Sequence, residues 1–211
     1  IEQRALFGFV SGVVSDSRFC GGGQLATKGS VTLFEEKFEL RLLNPTTWQT
    51  MDRYVLEEAE RVMSMRVCRL KHNATRSLRF YVVIGTGYAH GEDEMATGRI
   101  LVFEILMPHM LLRNVSVRPE KSPIGAVVDV CGHLVASCGL KVFVFDFSDG
   151  SVLAPCAFQD LEYFVLSADA VKNYVILGDV FNGVHVFRWR DTRKDGRHLL
   201  DRKSTRLNSS H

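Results

Sequence analysis

Three Val-Phe steps, at Val102-Phe103, Val144-Phe145 and Val186-Phe187, stand 42 residues apart (145 less 103, then 187 less 145). A period of roughly 40–45 residues belongs to repeat architectures, whose units bury their apolar faces only against neighbouring units. Each step closes the same phrase. Tyr81-Val82-Val83-Ile84 leads into Ile100-Leu101-Val102-Phe103, and His133-Leu134-Val135-Ala136-Ser137 into Lys141-Val142-Phe143-Val144-Phe145-Asp146. Tyr174-Val175-Ile176-Leu177-Gly178-Asp179 leads in the same way into Gly183-Val184-His185-Val186-Phe187-Arg188. The runs are short, β-branched and aromatic. In the first phrase Gly85, Gly87, Gly91 and Gly98 punctuate them, so the reading is strand, turn, strand. A helical repeat would need apolar residues at i, i+3, i+4 and i+7 over about ten positions or more, and no stretch keeps that pattern.

The repeat predicts an all-β chain, a β-propeller of WD-like blades. One full blade is expected from strands at 62–70, 80–84, 100–105 and 111–117, with Pro119 and Pro123 closing it because proline donates nothing to a ladder. The next takes 125–130, 134–137, 142–147 and 152–158, and the last 163–168, 174–177 and 184–190. Upstream, the apolar run at 5–15 supplies one or two strands, and Gly21-Gly22-Gly23 reads as a flexible loop. Residues 38–43 alternate Phe38, Leu40 and Leu42 inward with Glu39 and Arg41 outward. Asn44-Pro45-Thr46-Thr47 then turns the chain, and 48–56 returns it as the trailing half of a first blade. The expectation is an incomplete propeller of about three and a half blades over 1–200. Residues 201–211, DRKSTRLNSSH, match the translation of a widely used sequencing-adapter oligonucleotide; they are read as a non-native tail that cuts off the last blade's fourth strand. The chain starts at Ile1 without an initiator Met and is read as a fragment.

A net charge of +2, with 46% hydrophobic and 24% charged residues, marks a folded chain with no whole-molecule pull toward nucleic acid. The five cysteines, Cys20, Cys68, Cys131, Cys138 and Cys156, lack the close pairs of zinc sites. They read as buried thiols of a reducing compartment rather than disulfides or metal ligands. No run approaches the ~18 apolar residues of a membrane span and no signal peptide is visible, so the chain is read as soluble and intracellular, with no membrane partner.

Several constellations suggest chemistry and fail on context. Gly21-Gly22-Gly23 lacks the Gly-Lys-Ser/Thr and the helix that a phosphate cradle needs. Gly85-Thr86-Gly87 with Gly91 resembles a dinucleotide fingerprint, but a strand follows where a helix should, so it reads as a hairpin loop. His133, Ser137 and Asp146 include the residue types of a hydrolytic triad without a nucleophile elbow. Asp146, Asp169 and Asp179 are expected at strand ends, capping turns. The reading is therefore a non-enzyme with no catalytic residue, cofactor, metal or small-molecule substrate.

The local exception is charge. From Arg61 to Gly91 there is no acidic residue, and Arg66, Arg69, Lys71, Arg76 and Arg79 could converge on one rim that binds RNA phosphates or a partner protein. Phe80 and Tyr81 are the only aromatic residues near them and are expected to be strand-bound, which favours phosphate contact over base stacking.

Phe38-Glu39-Leu40-Arg41-Leu42-Leu43-Asn44-Pro45-Thr46-Thr47-Trp48, Tyr81 to Thr86, and Gly98-Arg99-Ile100-Leu101-Val102-Phe103 resemble the C-terminal region of the large (A) subunit family of the cleavage and polyadenylation specificity factor. The segments 132–137, 141–144 and 175–180 continue the resemblance, which runs from about Arg4 to Arg190. It implies part of the third of three propellers, in a nuclear, non-enzymatic scaffold of messenger RNA 3′-end processing. It also implies WD-repeat and zinc-finger partner subunits that read the polyadenylation signal, with RNA contact direct or through them. Two relatives share the pattern: the damaged-DNA-binding adaptor of ubiquitin ligases and a triple-propeller subunit of a splicing complex. The Asn-Pro-x-x-Trp turn and Gly-Arg-Ile-Leu favour the polyadenylation member.

Overall fold

Alternating short apolar runs and turns give antiparallel strands throughout the computed structural model, which describes residues 8–14, 37–72, 77–88, 95–148, 151–181, 183–192 and 197–204. The first sheet has the order β1-β2-β3, from β1 (Gly8–Val14), β2 (Lys37–Leu43) and β3 (Thr50–Val55). Three four-stranded meanders follow, each in chain order. The second sheet holds β4 (Glu60–Lys71), β5 (Leu78–Tyr88), β6 (Gly98–Leu106) and β7 (Leu111–Glu120). The third holds β8 (Ile124–Val130), β9 (His133–Cys138), β10 (Lys141–Ser148) and β11 (Val152–Asp160), and the fourth β12 (Val165–Val171), β13 (Tyr174–Asp179), β14 (Val184–Thr192) and β15 (Arg197–Ser204). The expected partition into repeats holds, with most strands a few residues longer than expected. Gly21-Gly22-Gly23 lies outside the described residues.

The leading strands of the meanders lie side by side, β4 beside β8 and β8 beside β12, so the sheets stack face to face. This explains why the central strands are apolar on both faces. In β5, Val82 and Ile84 join Leu40 and Phe103 in the layer against the first sheet, whereas Tyr81 and Val83 join Ile124 and Phe145 in the layer against the third. A third layer, with Val128, Val144, Val175 and Phe187, joins the third and fourth sheets. Fully burying a Phe such as Phe103 contributes roughly 1.5–3 kcal/mol.

The leading strand of every meander carries a bulge at the same place, between Val62 and Ser64, Ile124 and Ala126, and Val165 and Ser167. At the second of these the extra residue is Gly125, where an added Cβ would lie 2.2 Å from the Val165 carbonyl oxygen. The backbones of β8 and β12 touch there, and only glycine fits.

Four expectations are corrected. Glu39, expected outward, is buried and accepts a hydrogen bond from Arg41, the next side chain on the same face. Pro119 does not end its strand: β7 runs to Glu120 and pairs Arg99 with Pro119, which an edge strand tolerates. Gly85-Thr86-Gly87 lies inside β5 rather than in a loop, and an added Cβ on Gly85 would meet Ile124 of β8 at 2.5 Å. The last strand is not cut off at Leu200, because β15 pairs with β14 from Thr192↔Arg197 to His185↔Ser204. Ladder pairing uses only backbone N–H and C=O groups, and residues 201–204 contain neither proline nor glycine.

Candidate functional site

The basic stretch folds into the β4–β5 hairpin, whose register pairs Arg69 with Phe80, Leu70 with Arg79 and Lys71 with Leu78. Side chains alternate along a strand and cross-strand partners share a face. Cys68 and Leu70 are therefore buried toward the third sheet, while Arg69 projects outward beside Phe80, which is 69% exposed. Lys71 and Leu78 lie on the Arg69 face, and Arg79 stands exposed on the opposite one. Arg66, on the Cys68 face, reaches past β8 to β12, where its guanidinium donates to the Ala168 carbonyl and, at 2.8 Å, to Asp169 Oδ1. Arg76 lies outside the described residues. The hairpin thus brings Arg69 and Lys71 together with an exposed ring, sends Arg79 to the other face and commits Arg66 to an inter-sheet bond. Strand parity was the signal that could have exposed Phe80 in the sequence, since it sits out of phase with Tyr81.

A second polar cluster lies inside the same sheet. Glu60 has no exposed side-chain surface; its carboxylate accepts from Thr86 Oγ1 at 2.6 Å, from Arg99 Nε at 2.9 Å and Nη2 at 2.6 Å, and from the Glu57 N–H at 3.0 Å. Glu57 also pairs with Arg99 and accepts from the Tyr88 hydroxyl. Burial alone would push the Glu60 carboxyl up, but the bonds from Arg99, Thr86 and the Glu57 backbone outweigh it and hold the group below its ordinary value. Arg99 shows the mirror image: burial disfavours its charge, Glu60 more than restores it, and its pKa rises. Gly98 admits the close approach, because a Cβ there would lie 2.3 Å from the Thr86 carbonyl oxygen. The Gly-Thr-Gly and Gly-Arg-Ile segments thus bring Thr86 and Arg99 onto the buried Glu60 carboxylate.

Of the triad residues, Ser137 lies apart from the other two. Ser137 Oγ accepts from the Ala126 N–H at 2.8 Å, tying β9 to β8. His133 Nδ1 lies 2.5 Å from Asp146 Oδ1, within β9 and β10, and its ring packs 4.9 Å from that of Trp189. Cys156 of β11 joins this pair: its thiol, the His nitrogen and the carboxylate oxygen lie within 4.8 Å of one another, the one such group of metal-capable donors among the described residues. Asp179 caps its turn as expected, accepting from the Phe181 and Gly183 N–H groups, and its second oxygen lies 2.6 Å from His185 Nε2. Asp146 and Asp169 instead sit within strands, where His133 and Arg66 match them. Cys68 and Cys138 are buried thiols, and burial pushes Cys138 up to about 12. Cys131, expected buried, is exposed beside the tight turn into β9.

One feature was legible only as a motif. Asn44 Oδ1 accepts from the Thr46 and Thr47 N–H groups, the Asn44 carbonyl accepts from Trp48 N–H, and Trp48 is held at φ 57° with its residue 73% exposed. The turn presents an indole to solvent on a fixed backbone.

A family model described as the CPSF A subunit region matches residues 37–205. The chain is 27% identical over 167 residues to the cleavage and polyadenylation specificity factor subunit 1 of Drosophila melanogaster, covering 74% of this chain and 11% of that protein. It is 30% identical over 165 residues to the protein of the same name from Arabidopsis thaliana, with the same shares of 74% and 11%. Against the protein cft1 of Schizosaccharomyces pombe it is 31% identical over 155 residues, covering 69% of this chain and 11% of that protein. The chain spans about a tenth of the length of these curated relatives.

Proposed function

The chain belongs to the CPSF A subunit family, and on that footing we propose that it is part of a non-enzymatic scaffold of the nuclear machinery that cleaves and polyadenylates messenger RNA. The observation that carries the reading is the family match across residues 37–205, which takes in the last two strands of the first sheet and all three meanders. Face-to-face stacking of successive antiparallel sheets supports an arc of about three and a half propeller blades within a longer protein. The polar clusters support a framework role as well: the Glu60–Arg99 lock and the Arg66–Asp169 bridge join strands and sheets.

What the molecule offers outward suits docking. Trp48 on its rigid turn has the character of an interface anchor, since buried Trp, Tyr and Arg dominate binding energy at protein contacts. Partners are the WD-repeat and zinc-finger subunits that the resemblance implies. RNA would meet Arg69 and Lys71, the part of the expected rim that shares one face, since Arg66 is bonded to Asp169 and Arg79 stands on the other face, and exposed Phe80 beside Arg69 adds one ring to a surface otherwise suited to phosphates.

Affinity purification of the longer parent protein tests the scaffold role. Recovery of the cleavage and polyadenylation machinery is the expected result; recovery of a cullin without it would assign the chain to the ubiquitin-ligase adaptor instead. Replacing Arg69 and Lys71 by Glu in that parent should weaken RNA crosslinking and leave complex assembly intact, whereas Arg79→Glu, on the other face, should weaken it less. Unchanged crosslinking would return these residues to an ordinary solvated surface.

A further inference from the structure

We propose that His133, Asp146 and Cys156 form a binding site for a divalent, zinc-type metal ion. Three consecutive strands of the third sheet supply one donor each: His133 opens β9, Asp146 lies opposite it in β10, and Cys156 comes from β11. The β10–β11 register pairs Val144 with Ala157 and Phe145 with Pro155, so Cys156 is the extra residue of a bulge. Bulges recur where a strand re-aims a side chain, and this one puts the thiol beside the imidazole–carboxylate pair.

The donors fit the ion in softness, charge and reach. Imidazole, thiolate and carboxylate are the three ligand types zinc takes. One thiolate and one carboxylate cancel the ion's two positive charges, so a half-buried site ends neutral. A four-coordinate ion with bonds of about 2.0–2.3 Å sets its ligand atoms roughly 3.3–3.8 Å apart, and atoms within 4.8 Å reach that by side-chain rotation. Packing on Trp189 fixes the plane of the His133 ring. The ion competes with two existing contacts: the His133–Asp146 pair and the Cys156 S–H bond to the Val144 carbonyl at 3.3 Å. Binding therefore transfers the thiol proton to solvent, forms the metal–sulfur bond and leaves a fourth position for water.

Co2+ titration of the reduced chain is the test, because a thiolate ligand gives a near-ultraviolet charge-transfer band that nitrogen and oxygen ligands do not. One equivalent should saturate the band and release one proton. Cys156→Ser should abolish it, whereas Cys131→Ser, which removes the exposed thiol, should leave it unchanged. Asp146→Asn should keep the band but weaken Zn2+ competition at least about tenfold, a loss typical of even an outer-shell partner. Near-ultraviolet circular dichroism checks the fold of each variant. Should Cys156→Ser not fold, the Asp146→Asn affinity decides. No band in the folded chain, a band that survives Cys156→Ser, or unchanged affinity in Asp146→Asn would overturn the site.

Discussion

The strands β8 and β12 hold the same place in successive sheets and carry the same bulge, yet they are buried differently. In β8 the bulge residue is Gly125, pressed against the Val165 carbonyl, and nearly every residue of the strand is covered because β4 lies on one side and β12 on the other. In β12 the bulge residue is Leu166, 65% exposed, and Val171 at the end of the strand is exposed too. Met63 holds the position in β4 and is also exposed. The backbone repeats while the side chain answers to its own contacts: at Gly125 the Val165 carbonyl leaves no room for a Cβ, whereas Met63, although β8 lies beside β4, and Leu166 stand exposed. Burial in such a stack belongs to the interface between units rather than to the unit.

The comparison can be broken at the layers first. Phe145 fills the seam between the second and third sheets and Phe187 that between the third and fourth, both without exposed surface, so Phe145→Ala and Phe187→Ala should each cost roughly 3–5 kcal/mol in denaturant unfolding. A cost below about 1 kcal/mol at Phe187 would mean that the last seam is not packed like the others.

A lock inside one sheet should be indifferent to neighbours. Arg99→Ala leaves the buried Glu60 carboxylate without its cation and should cost roughly 3–5 kcal/mol. The Glu60 carboxyl titrates below its ordinary value of 4.5, so its stabilisation is fully present above that value and is lost as pH falls through the lowered one. Glu60→Gln should therefore flatten the acid limb of the stability profile below about pH 4.5. A limb of unchanged steepness would assign acid unfolding to other carboxylates.

The smallest effects sharpen the comparison most. Gly125→Ala drives a methyl into the Val165 carbonyl and should cost roughly 1–3 kcal/mol. Leu166→Ala, at the same bulge one sheet on, should stay within about 0.5 kcal/mol. Equal costs at the two positions would show that the bulge itself, rather than the adjoining sheet, sets the choice of residue.

Strand order and spacing were legible because period-2 runs between turn residues leave a repeating phrase few other ways to pair. The apolar runs Tyr81 to Ile84 and Leu134 to Ala136 were legible as strands, and the structure covers them on both faces. The turn at Asn44 was legible for a local reason, since its capping bonds span three residues or fewer. The basic rim was legible only as composition. Alternation within the expected strand 62–70 separates Arg66 from Arg69, but counting cations between Arg61 and Gly91 could not say so, nor that Arg66 ends on Asp169 of a distant sheet or that Arg79 faces away from Arg69 across the hairpin.

By itself, then, the sequence determined what short-range physics determines: which residues form strands, where they turn, which positions alternate inward, and that the units repeat. The tertiary structure alone decided which polar side chains meet. Arg66 and Asp169 are 103 residues apart, and His133, Asp146 and Cys156 come from three strands whose alignment depends on register and on one bulge. Alternation tells a side chain which face it is on, but the partner it finds there is fixed only when another strand or sheet, folded from a distant part of the chain, is laid against it.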